Sequence, residues 1–209
     1  MKKIITSSLL LASSLFAEIE QKGFYVALDY AKASITSDYL TSGSMSFNDY
    51  TNSLKNNKLG YKIGYQYYFT RIYFRYSTFN LKDEKKGRYQ IDGKSYEAYA
   101  EYLPIFYTAP EKSWVIRGTL GAMIGYTRAS LKDNYRPNIL PAGITASSQN
   151  NFLYGVNIGL LYQNEYGINL EMGMRYKKGN SLEFADENSN AAVFRQKIKE
   201  FYIGVGYLF

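Results

Sequence analysis

Glu97 and Glu101 are the two residues of this sequence best placed to do chemistry together. A carboxylate pair can divide general acid and base work, and glycosidases hold theirs ~5–9.5 Å apart. Both lie in SYEAYAEY, an alternating stretch that reads as a strand. Four residues of strand span ~13 Å, too far for both groups to reach one bond. Other chemistry is scarcer still. The 209 residues include no Cys and no His, so thiolate, imidazole and disulfide chemistry are all excluded. Asp186 and Glu187, with Asn188 and Asn190, offer oxygen ligands to calcium, but their spacing is not that of an EF-hand loop and reads as solvated loop. Gly204-Val205-Gly206 is followed by no helix and is not a phosphate loop. No catalytic, cofactor-binding or metal-binding residue is expected, and no cofactor.

The charges instead follow the period of strands. NKLGYKIGYQYYF, residues 57–69, sets Leu59, Tyr61, Ile63, Tyr65 and Tyr67 on one face and Lys58, Lys62 and Gln66 on the other. The same pattern predicts strands at 23–32, 72–79, 95–107, 114–127, 151–162, 168–177 and 198–209. Most have the ~10 residues that a tilted membrane strand needs. The expected connections alternate: Thr70-Arg71, 108–113 and 163–167 are short, while 33–56, 80–94, 128–150 and 178–197 are long and polar. Short and long connections at opposite ends describe an eight-stranded antiparallel up-and-down barrel, an all-β fold in one domain.

Alternation alone does not say which face is inside. Glycine does. Gly60, Gly64, Gly121, Gly125, Gly155, Gly159, Gly173, Gly204 and Gly206 share the polar face, and Gly118 is the exception. Glycine weakens a strand, but inside a narrow barrel it leaves room for larger neighbours. The polar face is therefore expected inside. The aromatic face, drawn from 23 Tyr and 12 Phe, is expected to meet lipid, where Tyr and Trp favour the interfaces. Trp114 is expected as an anchor at the short-connection end.

On this register the inward charges are Asp29, Glu97, Glu101, Glu171 and Glu200 against Lys58, Lys62, Arg75, Arg117 and Arg175, five acids and five bases. Buried charge is tolerated when paired, so an ion-pair network filling the barrel is expected. The same charges lining a narrow channel for small polar solutes are the alternative.

The ends of the sequence point outward from the cytoplasm. MKKIITSSLLLASSLFA, residues 1–17, has a basic start and a short apolar run and reads as a secretory signal peptide, cleaved before Glu18, leaving a barrel domain at 18–209. Cleavage removes Lys2 and Lys3 and leaves 23 basic against 18 acidic residues. At the other end, Phe201, Ile203, Val205, Tyr207 and Phe209 alternate to the last residue. This pattern resembles the carboxyl-terminal signal of bacterial outer-membrane barrels, and the mature chain is similar to the small OmpA-like ones. The resemblance implies a cell outer-membrane location, contact with outer-membrane lipid and lipopolysaccharide, and recognition of the last strand by the barrel assembly machinery. It also implies a plugged interior and a function carried by the loops in envelope structure, adhesion or partner binding. The outer-membrane lipases, acyltransferases and omptin-like proteases of similar architecture use a catalytic His, which is absent here, so no enzyme is expected.

Lys82, Lys85, Lys86 and Arg88 cluster in the second long connection as possible lipopolysaccharide contacts, and Asp83 and Glu84 partly cancel them. Arg128, Lys132, Arg136, Lys177, Lys178, Arg195 and Lys197 would extend them into a basic collar, with Lys and Arg as phosphate donors. Nucleic acid is not expected, because basic and aromatic residues fall on opposite strand faces. The surface partner is not legible.

Overall fold

The computed structural model describes residues 21–42, 54–82, 89–133, 149–185 and 191–209. Every element among them is a strand: β1 Lys22–Ser42, β2 Leu54–Tyr67, β3 Thr70–Lys82, β4 Tyr89–Tyr102, β5 Ile105–Thr108, β6 Trp114–Asp133, β7 Gln149–Asn164, β8 Ile168–Ala185 and β9 Ala191–Leu208. Each long strand pairs antiparallel with its sequence neighbours. The β4–β6 and β1–β9 pairings then close the sheet into an eight-stranded barrel.

Strand four was expected to run unbroken over 95–107. Instead it stops at Tyr102 and resumes as β5, which pairs with β6 through a bulge between Ile105 and Tyr107. Pro104 lies in the break; it has no N–H to give the ladder, and its carbonyl accepts from Gly118 N at 2.8 Å. The strands also run farther than expected. β1 reaches Ser42, β6 reaches Asp133 and β8 reaches Ala185, all inside stretches read as polar connections. Strand pairing continues there because it needs backbone groups and not apolar side chains.

The short-connection end carries the described left-handed backbone: Tyr68 (φ 49°), Lys112 (φ 56°) and Gly167 (φ 83°). The Gly167 carbonyl accepts from Leu208 N at 2.8 Å, and Phe209 N donates to Phe24 O at 2.9 Å, so the last residues are fixed to both neighbouring elements.

The two faces of the wall are sorted as the glycines imply. Outward lie Ile63 (62% exposed), Phe74 (66%) and Ile158 (62%). One row of outward aromatics runs in direct register across the strands: Tyr61, Tyr76, Tyr96, Tyr126 and Phe152. Ring centroids along its first four members lie 5.3–6.4 Å apart. At the short-connection end a second group forms, with Trp114 5.2 Å from Tyr107 and 5.8 Å from Tyr162. Mostly aliphatic residues, with Phe74 among them, fill the band between. Two aromatic rows bracketing an apolar band is the surface that a bilayer with two interfaces requires. Gly118, the outward exception, is covered by the Phe106 ring.

Candidate functional site, a buried charge network

All ten charges expected inside are buried: Asp29, Lys58, Lys62, Arg75, Glu97, Glu101, Arg117, Glu171, Arg175 and Glu200. Two more join them. The sequence pattern puts Arg71 in a turn and Lys177 in an outward collar, but both are fully buried. The reason is parity. β3 begins at Thr70 and β8 continues to Ala185, so the inward positions 71, 73, 75 and 171, 173, 175, 177 run on without a break. The expected balance of five to five is thereby corrected. Seven cations face five carboxylates among the described interior residues.

Eleven of these groups form one continuous chain of ion pairs. At its lower end Arg71 binds Glu101 at 2.6 Å and Glu171 at 2.7 Å. Lys62 bridges Glu171 to Asp29, the latter at 3.5 Å. Asp29 accepts from Arg75 and Arg175, each at 2.8 Å. Arg75 reaches on to Glu97 at 3.2 Å. Lys177 joins Glu97 at 2.7 Å to Glu200 at 2.9 Å, and Lys58 ends the chain on Glu200 at 2.8 Å. Charges so far from water persist only when paired this closely.

Phenols and small residues complete the network. Tyr73 donates to Glu101 and Tyr99 to Glu97, both at 2.7 Å, and the two rings stack at 4.7 Å. Asn157 donates to Glu101 at 2.7 Å. The Arg175 guanidinium lies 3.6 Å from the centre of the Tyr202 ring and that of Arg71 4.3 Å from Tyr25, placements in which a cation meets the negative face of the ring. Gly60 makes room for the centre of the chain. A β-carbon there would lie 2.6 Å from both Arg75 Nε and Asp29 Oδ1.

Above and below the charges the lumen changes character. Toward the long-connection end Phe79 packs on Gly93 and Leu153 near Gly179, and both side chains are buried, as is Ile198. Toward the short-connection end lie the buried amides Gln66, Gln163 and Asn169, with Gln66 donating to Gln163 at 3.2 Å. Arg117 sits at this floor and donates to the carbonyls of Tyr68 at 3.1 Å and Leu103 at 3.4 Å. Glu97 and Glu101 are each engaged by cations and phenols and are buried, so they are not an open carboxylate pair.

The remaining expected residues lie elsewhere. Phe201, Ile203, Val205 and Tyr207 line the outer face of β9, and Phe209 is 71% exposed. Lys82 is the last residue of β3, while Lys85, Lys86, Arg88, Arg136, Asp186, Glu187, Asn188 and Asn190 fall outside the described residues, as do residues 1–17.

No family model and no curated protein matches the sequence. Solved structures do match the fold. Neisserial surface protein A is 23% identical over 91% of this chain and 100% of its own, with a TM-score of 0.57. The outer membrane protein OprG of Pseudomonas aeruginosa is 12% identical over 91% of this chain and 98% of its own, with a TM-score of 0.52. The fold is that of small outer-membrane β-barrels. At these identities the likeness is one of architecture, and the interior network is described from this chain alone.

Proposed function

We propose that this chain is a non-enzymatic integral outer-membrane protein with an interior sealed by its own charges. It acts through its long-connection end, in envelope structure, adhesion or partner binding. The observation that carries the reading is the continuous ion-pair chain from Arg71 to Lys58 inside a barrel only eight strands around, a size whose interior side chains suffice to fill. An apolar layer containing Phe79 and Leu153 lies over it, a poor path for ions, since hydrophobic constrictions exclude water. The aromatic rows and the apolar band between them support the membrane location. Buried, engaged carboxylates and the absence of His support the non-enzymatic reading.

The test is single-channel recording of the refolded protein in a planar bilayer. No step currents are expected from the wild type. Arg75→Ala with Glu97→Ala, which removes two links of the chain, is expected to admit flickering current. Steady wild-type conductance overturns the sealed reading in favour of a narrow channel. In that case seven buried cations against five carboxylates among the described residues would make the channel anion-selective, which the reversal potential in a salt gradient measures.

A further inference from the structure

Methionine stands at Met123, Met172 and Met174 among the described residues, and parity sorts the three. Met123 faces the lumen and is 3% exposed. Met172 (48% exposed) and Met174 (58%) occupy successive outward positions of β8, ~7 Å apart along the strand. The outward side chains of β8 run Ile168, Leu170, Met172, Met174, Tyr176, so both sulfurs lie within the apolar band. Met172 stands opposite Leu160 on β7 and Ile203 on β9, and Met174 stands opposite Ile158 and Phe201. Met172 also lines an apolar groove of about 670 Å³ with Leu28, Tyr30, Leu160, Ile203 and Val205. The groove leaves room for hydrocarbon beside the sulfur.

The neighbouring aliphatic side chains are chemically inert. A thioether is not: its sulfur is polarizable and takes up one oxygen atom to become a sulfoxide. What can deliver that oxygen depends on the surroundings. A water-borne peroxide is scarce in hydrocarbon, whereas a hydroperoxide carried on an acyl chain is already there. Met123 is enclosed on the other side of the wall, in register with Tyr99 and Gly155.

We propose that Met172 and Met174 are the site at which this barrel reacts with hydroperoxides carried on membrane acyl chains. The inference rests on the outer face being embedded in a bilayer. In the step, a sulfur lone pair attacks the terminal peroxide oxygen. The O–O bond breaks as the S–O bond forms, and the proton on the attacked oxygen passes to the departing one, which leaves as the alcohol. Sulfur gives up two electrons and the hydroperoxide gains them, so each methionine reduces one hydroperoxide and is spent. The new oxygen then faces Ile158, Leu160, Phe201 and Ile203, none of which can donate a hydrogen bond. A polar group without a partner in an apolar setting is unfavourable, so the oxidised wall is the less stable one.

The experiment refolds the protein into phosphatidylcholine vesicles and first checks insertion as a β-barrel. A phosphatidylcholine hydroperoxide, or hydrogen peroxide at the same concentration, is then added. Peptide mass spectrometry locates the sulfoxide, and chromatography measures the lipid alcohol. With the lipid hydroperoxide, Met172 and Met174 are expected to oxidise about tenfold faster than the enclosed Met123, since susceptibility follows exposure. Alcohol should form in step with sulfoxide, and the urea midpoint should fall. A variant carrying Met172→Leu and Met174→Leu keeps nearly the same volume and should insert normally. Treatment should give it no alcohol above that of empty vesicles and leave its urea midpoint unchanged. Equal oxidation of Met123 overturns the proposal, as does equal alcohol from the leucine variant. Oxidation of the pair as fast by hydrogen peroxide also overturns it, assigning the reaction to water-borne oxidants. A wild-type chain that fails the insertion check overturns the membrane reading itself, and the proposal with it.

Discussion

The inner and outer faces of this wall are made by the same strands, one residue apart, yet opposite rules govern them. Inside, Arg75 is held by Asp29 and Glu97; outside, its neighbour Phe74 is left 66% exposed with aliphatic and aromatic companions. On the inner face a charge is stable because others meet it. On the outer face apolarity is tolerated because the surroundings are expected to be apolar too. Identical backbone therefore carries two solvent environments, and the difference between them resides wholly in parity.

Removing one inner charge should produce the largest effect. Arg75→Met leaves carboxylates short of a partner, and a loss of ~3–5 kcal/mol is expected in urea unfolding from lipid vesicles. A result under about 1 kcal/mol would mean that water already screens the interior. Adding one outer charge should come next. Ile63→Arg, in the apolar band, is expected to cost ~2–4 kcal/mol in vesicles. In a zwitterionic micelle that yields around the site, the cost should shrink, which separates lipid burial from damage to the sheet. Gly60→Ala tests whether the inner face is filled. Its methyl would press on Arg75 and Asp29, and overpacking of this kind costs ~1–3 kcal/mol. Lys199→Gln, exposed above the band, should change stability in a lipid-A-free bilayer by no more than ~0.5 kcal/mol.

Parity was also what made the molecule legible. Because strand side chains alternate strictly, NKLGYKIGYQYYF alone assigns Lys58 and Lys62 to one side and Ile63 to the other, and the glycines say which side is crowded. Arg71 and Lys177 were missed where alternation was cut short at an assumed strand end. Nothing in their own neighbourhood marks them as buried; only continued backbone pairing does. Both fall on the inward parity once β3 and β8 are continued to the nearest turn. The ion-pair partners could not be read at all. Asp29 and Arg175 are 146 residues apart and meet because the sheet closes, which is a property of shear and register, not of any local stretch. The break at Pro104 interrupts the strand expected over 95–107, because alternation continues through the proline while the ladder does not.

That seam also sets an order in time. β1 acquires one neighbour as soon as β2 exists, but its other edge is matched by β9, whose pairing extends from Tyr25 with Leu208 to Ser42 with Ala191. Until β9 pairs with it, β1 keeps a long row of unmatched N–H and C=O groups, an edge able to pair with any other chain. Nothing cylindrical exists until β9 arrives; before that there is only a sheet with two sticky margins. A molecule built this way depends on being kept from its own kind until its last hairpin is in place, so delay is as hazardous to it as mutation.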